Sequence, residues 1–474
     1  MNIHEAKHLF LRAGFGATPE ELREAGRHST RKVVRRLLED ADNALTLHSI
    51  DPQQVGYSRK NLLEMVMQRD SLTAEQRKQM VREVQQQDRD QIGDLNFAWL
   101  TQMGQGKSAL REKMTLFWHG HFACRSNNPL FVQQQNNLLR EHALGKFGDL
   151  LGAISKDPGM LQFLNNQQNR KQSPNENFAR EVMELFTTGR GAYSEKDIKE
   201  AARAFTGWGF NPKGEFVFRK NQHDDGEKLF LGKRGNFNGE DILALLLERP
   251  ETARFVVGKV YTYFVNDVPN PAVIADLAKD FHKKDYDIRW LMEEIFTSSW
   301  FYEPQNVGVR IKSPVEYLAG LQRTPGVSYG SKQSVLYVQK ALDQVLFYPP
   351  NVAGWPGGTA WIDSSSLLLR MKLPEVILQS AELNFRAKSD GDVNTDYLSK
   401  RGARQFRDAQ LDWSVFGKPF EGLSGEGLLD ALTETLLQRP LSPAQRQLIL
   451  RRPRKTELRD FTLALLTLPE FQLC

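Results

Sequence analysis

Helix-starting signatures recur along this chain and constrain its fold more than any other feature. Thr18-Pro19-Glu20-Glu21 offers an N-cap hydroxyl, a proline at the first helical position and a carboxylate that can reach back to the cap. Ser173-Pro174-Asn175-Glu176 repeats the pattern ahead of a helix expected to stop at Gly189. Ser194-Glu195-Lys196-Asp197 opens another. Residues 60–92 hold few apolar positions (Leu62, Leu63, Met65, Val66, Met80, Val81, Val84), which predicts helices exposed on most sides. Helices are expected again over Leu95–Met103 and Leu110–Trp118. The exceptions are residues 211–240, rich in glycine with short alternating pieces such as Glu215-Phe216-Val217-Phe218, and the Gly-, Pro- and Trp-rich stretch 345–363. The expected fold is therefore mainly α, a large helical body with a small irregular or β insert around 211–240 holding at most one hairpin. Residues 1–384 form that body, including a dense polar and aromatic block at 110–210. Residues 385–426 read as a linker or partly ordered loop, and 427–474 as C-terminal helices packing back on the body.

Composition excludes several classes. Lys plus Arg number 63 against 58 for Asp plus Glu over 474 residues, a mild excess that does not argue for nucleic acid. The one compact basic cluster, Arg451, Arg452, Arg454 and Lys455, is broken by Pro453 and reads as a solvated turn. Two cysteines, Cys124 and Cys474, cannot build a disulfide framework or a cysteine zinc site. No stretch approaches the roughly 20 apolar residues of a membrane helix. The opening MNIHEAKHLFLRAGFG lacks the pattern of an export signal, so a native start there predicts a cytoplasmic protein. No P-loop, nucleophile elbow, H-E-x-x-H or dinucleotide fingerprint is found.

Four segments carry residue types suited to chemistry. In Leu116-Phe117-Trp118-His119-Gly120-His121-Phe122, two imidazoles sit two positions apart, and His142 follows. On a continuous helix His119 and His121 point roughly 200° apart and cannot share an ion; only an unusual backbone at Gly120 would turn both inward. Three histidines with nearby carboxylates are an inventory for a divalent metal, against the alternative that each imidazole caps a helix end or is hydrogen-bonded in the core. On the helix after Ser173, Asn177, Glu181, Glu184 and Thr188 form one polar stripe, and Arg180 stands four before Glu184. The plain alternative is a solvated face with a local ion pair. Trp208 lies between two glycines, either a platform for a flat ligand or a core anchor. Finally, Asn351, Trp355, Trp361 and Asp363 lie on a long loop that can wall a cleft or pack on itself, with Asp363 or Ser364 capping the next helix.

These segments resemble a bacterial family catalogued as domain of unknown function 1800. The matching stretches are His8 to Gly16, Leu116 to Phe122, Pro174 to Glu181 with Glu184-Leu185-Phe186, Ala201 to Trp208, Lys312-Ser313-Pro314-Val315-Glu316, Pro349 to Gly358, and Pro469-Glu470-Phe471-Gln472. The resemblance covers nearly the whole chain. It implies that many relatives are exported and that a phosphatase- or sulfatase-like protein encoded nearby is a partner. It implies no particular reaction.

The expectation is an enzyme whose cleft is lined by His119, His121, Glu181, Glu184 and the 349–363 loop. Its chemistry would be general acid–base hydrolysis, with or without a metal-activated water. Glu181 or Glu184 would be the base, and Arg180 would orient it and lower its neighbour's pKa. Exposed tryptophans would favour a sugar-containing or other envelope polymer. The alternatives are a non-catalytic binding or assembly protein and a metal or cofactor carrier.

Overall fold

The computed structural model describes residues 1–43, 45–51, 53, 73–379, 392, 394–401, 409–451 and 456–474. Among these the chain is mainly α, with 22 helices and two small two-stranded sheets. The expectations over 60–72, 385–391, 402–408 and 452–455 lie outside the described residues.

The caps do what the sequence predicts in most places. Three helices open the chain: α1 (Ile3–Ala13), α2 (Pro19–Gly26) and α3 (Thr30–Ala41). Thr18 and Glu21 form the expected capping box on α2, as Ser194 and Asp197 do for the helix Glu195–Ala204. Ser313 and Glu316 form a third before Pro314–Arg323. Ser173 is the exception. It bridges Arg170 instead of capping, and the helix begins only at Asn177, whose N–H is taken by the Asn175 side chain at 2.9 Å. The long helix Ala74–Gln105 is solvated over its first half and enters the core from Ile92.

The insert holds two hairpins, not one. β1 (Trp208–Phe210) pairs antiparallel with β2 (Phe216–Phe218), and β3 (Lys228–Phe230) with β4 (Lys233–Gly235). Gly214 (φ 83°) and Gly232 (φ 81°) supply the left-handed turn positions. Within 385–426, three residues of the described stretch 409–426 are buried: Ala409, Phe416 and Phe420. Gln410 bridges Ser328, and a short helix Trp413–Gly417 buries Phe416 and then Phe420.

Two apolar clusters organise the body. One is built from α1–α3 and from residues 110–301. The other joins Ile92–Met103, the helices between Val315 and Ile377, and the C-terminal helices up to Phe471. The helix Ala109–His121 lies between them. Leu110, Met114, Phe117 and Trp118 face the first cluster and Leu116 the second. This helix carries the two histidines, so its orientation fixes what each can reach.

Candidate functional site

Gly120 does not break the helix Ala109–His121, so the two imidazoles leave on different sides. His119, 2% exposed, accepts the N–H of Phe347 on Nε2 at 3.1 Å. Its ring stands against Trp99, Phe347 and Trp355, with centroids 5.3–5.5 Å away. His121 turns the other way and donates Nε2–H to the carbonyl of Phe186 at 3.1 Å. Its ring sits among Phe117, Phe122, Phe147, Phe186 and Phe255. Burial pushes both imidazoles down to about 3; at His121 Lys259 adds to the push and the Phe186 bond opposes it. Both are therefore neutral. His142 caps the end of Pro129–Glu141. The expected metal set does not converge, because a two-residue offset on a helix separates the ligands. Among the described residues no group of three or more His, Cys, Asp or Glu is placed to hold an ion.

The second segment departs from a regular helix. After Asn177–Glu181 the backbone widens into a π-helical turn, Val182–Phe186. Its bonds span five residues: Thr188 N–H donates to Met183 O at 3.1 Å, and the Thr187 and Thr188 hydroxyls donate to the carbonyls of Val182 and Met183. The widening lets Val182, Met183 and Phe186 all bury at 1% exposure or less. It also draws Thr188 into the interior, so the polar stripe ends at Glu184. Turns of this kind are rare and often mark functional sites.

Glu181 and Glu184 stand on the outer side of this turn in unequal surroundings. Arg180 holds Glu195 through two bonds (3.0 and 2.8 Å), Glu176 at 3.2 Å and Glu184 at 3.5 Å. Arg190 reaches the other Glu184 oxygen at 3.2 Å. At Glu184 burial raises the pKa, but bonds from Tyr193, Arg190 and Arg180 outweigh it and the net shift is downward. Glu181 has no hydrogen bond or ion pair among the described residues. Half-burial and the adjacent Glu184 charge raise its pKa, opposed by Arg180 and Arg190. At the start of the Asn177–Glu181 helix is an open hollow of about 550 Å³ lined by Gln168, Ser173, Asn175, Glu176, Asn177 and Arg180; Arg180, next to Glu181 in sequence, is its nearest lining residue to the turn. Asn177 is exposed at its edge and donates to Leu164 O at 3.3 Å.

The 349–363 loop packs on the far side of the histidine helix. Gly354 (φ 79°) lies so close to the Gly120 carbonyl that any Cβ would collide with it. Asn351 is exposed, and its side chain caps its own turn at Ala353 N. Asp363 caps Ser364–Gln379 through Ser365 and Ser366, as predicted. Trp355 is half-buried against His119, but Trp361 is 6% exposed. Trp208 is 1% exposed, wedged between Phe205 and Phe216 with Gly239 against its ring. It is a core anchor, because no face of the indole is open to a ligand. The expected single cleft thus divides in two. His119 and Trp355 belong with the loop; His121 backs the π turn; no hydrogen bond, ion pair or ring contact links Glu181 or Glu184 to the loop among the described residues.

Sequence reasoning missed a third polar centre. Lys113 and Glu316 form an ion pair at 2–3% exposure, with Arg12, Arg310, Lys312 and Arg370 also buried around them. The signal was available: Arg12 and Lys113 occupy apolar-face positions of helices, and Ser313 to Glu316 spell a capping box. It joins three of the stretches that carry the family resemblance: Arg12 from the first, Lys312 and Glu316 from Lys312–Glu316, and Phe471, whose carbonyl accepts from Lys312 at 2.7 Å.

Among the described residues no helix is long and apolar enough to cross a membrane. Comparison with curated proteins and with solved structures found no match. A family model described as "Protein of unknown function (DUF1800)" matches residues 8–473, and the chain belongs to that family.

Proposed function

We propose that the chain is a hydrolytic enzyme whose acid–base group is Glu181, on a polymer recognised in the neighbouring hollow that Arg180 lines. The observation that carries this reading is the divergence of two neighbouring carboxylates. Glu184 is held ionised by Arg180, Arg190 and Tyr193, while Glu181, without a partner, is raised. Paired carboxylates pushed apart in pKa are the arrangement by which one serves as proton carrier and the other as fixed charge. The hollow offers amide, hydroxyl and guanidinium groups, which suit a hydroxyl- and amide-rich chain such as a sugar-containing envelope polymer. The buried Trp208 and Trp361 add nothing to that choice.

The test is turnover on a panel of labelled envelope polysaccharides and glycopeptides. Glu181→Gln is expected to abolish turnover at an unchanged melting temperature. The parent rate should fall on acidification at a pH above the ordinary glutamate value, as Glu181 takes up its proton. No turnover by the parent, or a Glu181→Gln variant as fast as the parent, overturns the proposal. A second reading, assembly with a phosphatase- or sulfatase-like partner, is favoured by Arg180, which is saturated by three carboxylates as a structural tie would be. A stoichiometric co-purifying partner together with no turnover would select it.

A further inference from the structure

A large pocket lies away from the π turn, between α2 and α3. It holds about 1260 Å³, above the ~300–1,000 Å³ usual for small-molecule sites. Phe10, Ala13 and Gly14 at the end of α1 form its floor with Val33 and Ala109. Its walls carry opposite charge: Glu20 and Glu24 on α2, and Lys32, Arg35 and Arg36 on α3.

Opposed walls of this kind would ordinarily neutralise each other across the gap. Here the acidic wall is satisfied elsewhere. Glu20 pairs with Arg23 at 3.1 Å, and Glu24 pairs with His28 at 3.1 Å and Arg27 at 3.3 Å. Glu21, at the end of the groove, pairs with Arg323. The His28 bond, with Arg27 and Arg36 nearby, holds the Glu24 carboxyl below its ordinary range, yet Arg36 makes no ion pair with it. The side chains of Lys32, Arg35, Arg36 and Lys107 have no hydrogen bond or ion pair among the described residues, and all four are exposed. Of the remaining lining carboxylates only Glu39 and Asp40 are unpaired, so four free cations face two free anions.

We propose that this groove binds an acidic amphipathic peptide segment of a partner protein. Its carboxylates would lie along the α3 wall and its apolar side chains on Phe10 and Val33. A uniformly charged polyanion is disfavoured, because it has no apolar side chains to cover Phe10, Ala13 and Val33 on the floor. A basic segment is disfavoured, because the acidic wall is already paired. The site is separate from the Glu181 turn.

The experiment is fluorescence anisotropy of a labelled synthetic helix of Leu and Glu, titrated with the full chain at low salt. A Leu and Lys helix and a heparin fragment serve as competitors. Saturable binding of the acidic helix is expected, weakened roughly tenfold or more in a Lys32→Glu, Arg35→Glu, Arg36→Glu variant of unchanged melting temperature. If that variant does not fold, Arg36→Glu with Lys107→Glu should show a smaller loss in the same assay. Glu181→Gln should bind as the parent does, which separates this site from the proposed catalytic one. No saturable binding by the parent, equal binding by the charge-reversed variants, or stronger competition by heparin than by unlabelled acidic helix overturns the proposal.

Discussion

The polar groups around Glu316 and those around Glu184 use the same chemistry, a carboxylate held by cations and an N–H or O–H donor, but only one lies in the dry interior. Glu316 is 3% exposed, bound to Lys113 and to the Ser313 N–H at 2.7 Å, with Arg310 nearby. Burial pushes its pKa up, and these partners more than reverse that, holding it at about 2. Lys113 is tied in turn to the carbonyl of Gly14 at 2.9 Å. Glu184 faces Arg190, whose side chain is 83% exposed. The buried cluster costs desolvation and ties α1, Ala109–His121 and Pro314–Arg323 together; the other leaves Glu181 unpaired and, through Glu176 and Arg180, borders an open hollow. Function is therefore sought at the second and stability at the first.

The largest effect should come from breaking the dry cluster. Glu316→Ala leaves Lys113 buried without its ion-pair partner, while Arg310 keeps Asp267 at 3.3 Å, an expected loss of about 3–5 kcal/mol. Urea unfolding monitored by far-ultraviolet circular dichroism measures it. A loss under about 1 kcal/mol would mean that water reaches the cluster and that the contrast with Glu184 is false.

The same contrast operates within the 349–358 loop. Gly354 and Gly357 both have positive φ (79° and 72°), but a Cβ at Gly354 meets the Gly120 carbonyl, whereas one at Gly357 meets nothing within 4 Å. Gly357, at φ 72° and ψ −175°, lies in a region open essentially only to glycine, so Gly357→Ala should cost only the backbone strain, about 1–3 kcal/mol. Gly354→Ala should cost about 1 kcal/mol more, since the loop must also lift from the histidine helix. Equal losses in thermal melts would show that the loop is not seated on that helix.

His119 tests dryness by pH. Its folded pKa of about 3 lies below the ordinary imidazole value of 6.5, so below pH 6.5 the unfolded chain binds a proton that the folded chain refuses. The stability tied to it is full above pH 6.5 and is lost as pH falls toward 3. His119→Gln, which keeps an acceptor for Phe347 N, should reduce the stability difference between pH 7 and pH 5 by about 2 kcal/mol. An unchanged difference would place water at the ring.

How much of this was legible in the sequence depended on range. Caps and glycine stops act within a few residues, so the helical class, the box at Thr18–Glu21 and the Asp363 cap could be read directly. The opposed directions of His119 and His121 followed from helix geometry once Gly120 was taken as helical. The π turn was not legible, because it arises where Phe186 must reach the His121 and Phe122 rings, a demand made by a segment about sixty residues away. Trp208 stayed open between platform and core anchor because, besides Phe205, its cover comes from Phe216 and Gly239 further along the chain. The Glu316 cluster needed contacts across some two hundred residues, and the misplaced charges Arg12 and Lys113, with the Ser313–Glu316 capping box, hinted at it.

The smallest expected effect is the one that most directly concerns function. Arg180→Gln removes the link between Glu176, Glu184 and Glu195, but its guanidinium is 32% exposed and each partner keeps access to water. The stability change should stay within about 1 kcal/mol. Its effect on Glu181 has the opposite weight. Arg180 is one of two cations that offset the burial and the Glu184 charge acting on Glu181, so its removal should raise the Glu181 pKa further. With Arg180→Gln, the acid limb of a Glu181-dependent activity should therefore move to higher pH while the melting temperature barely changes. A structural tie gives the reverse result, a lower melting temperature with no shift of the limb, and that outcome would join this cluster to the stabilising class represented by Glu316.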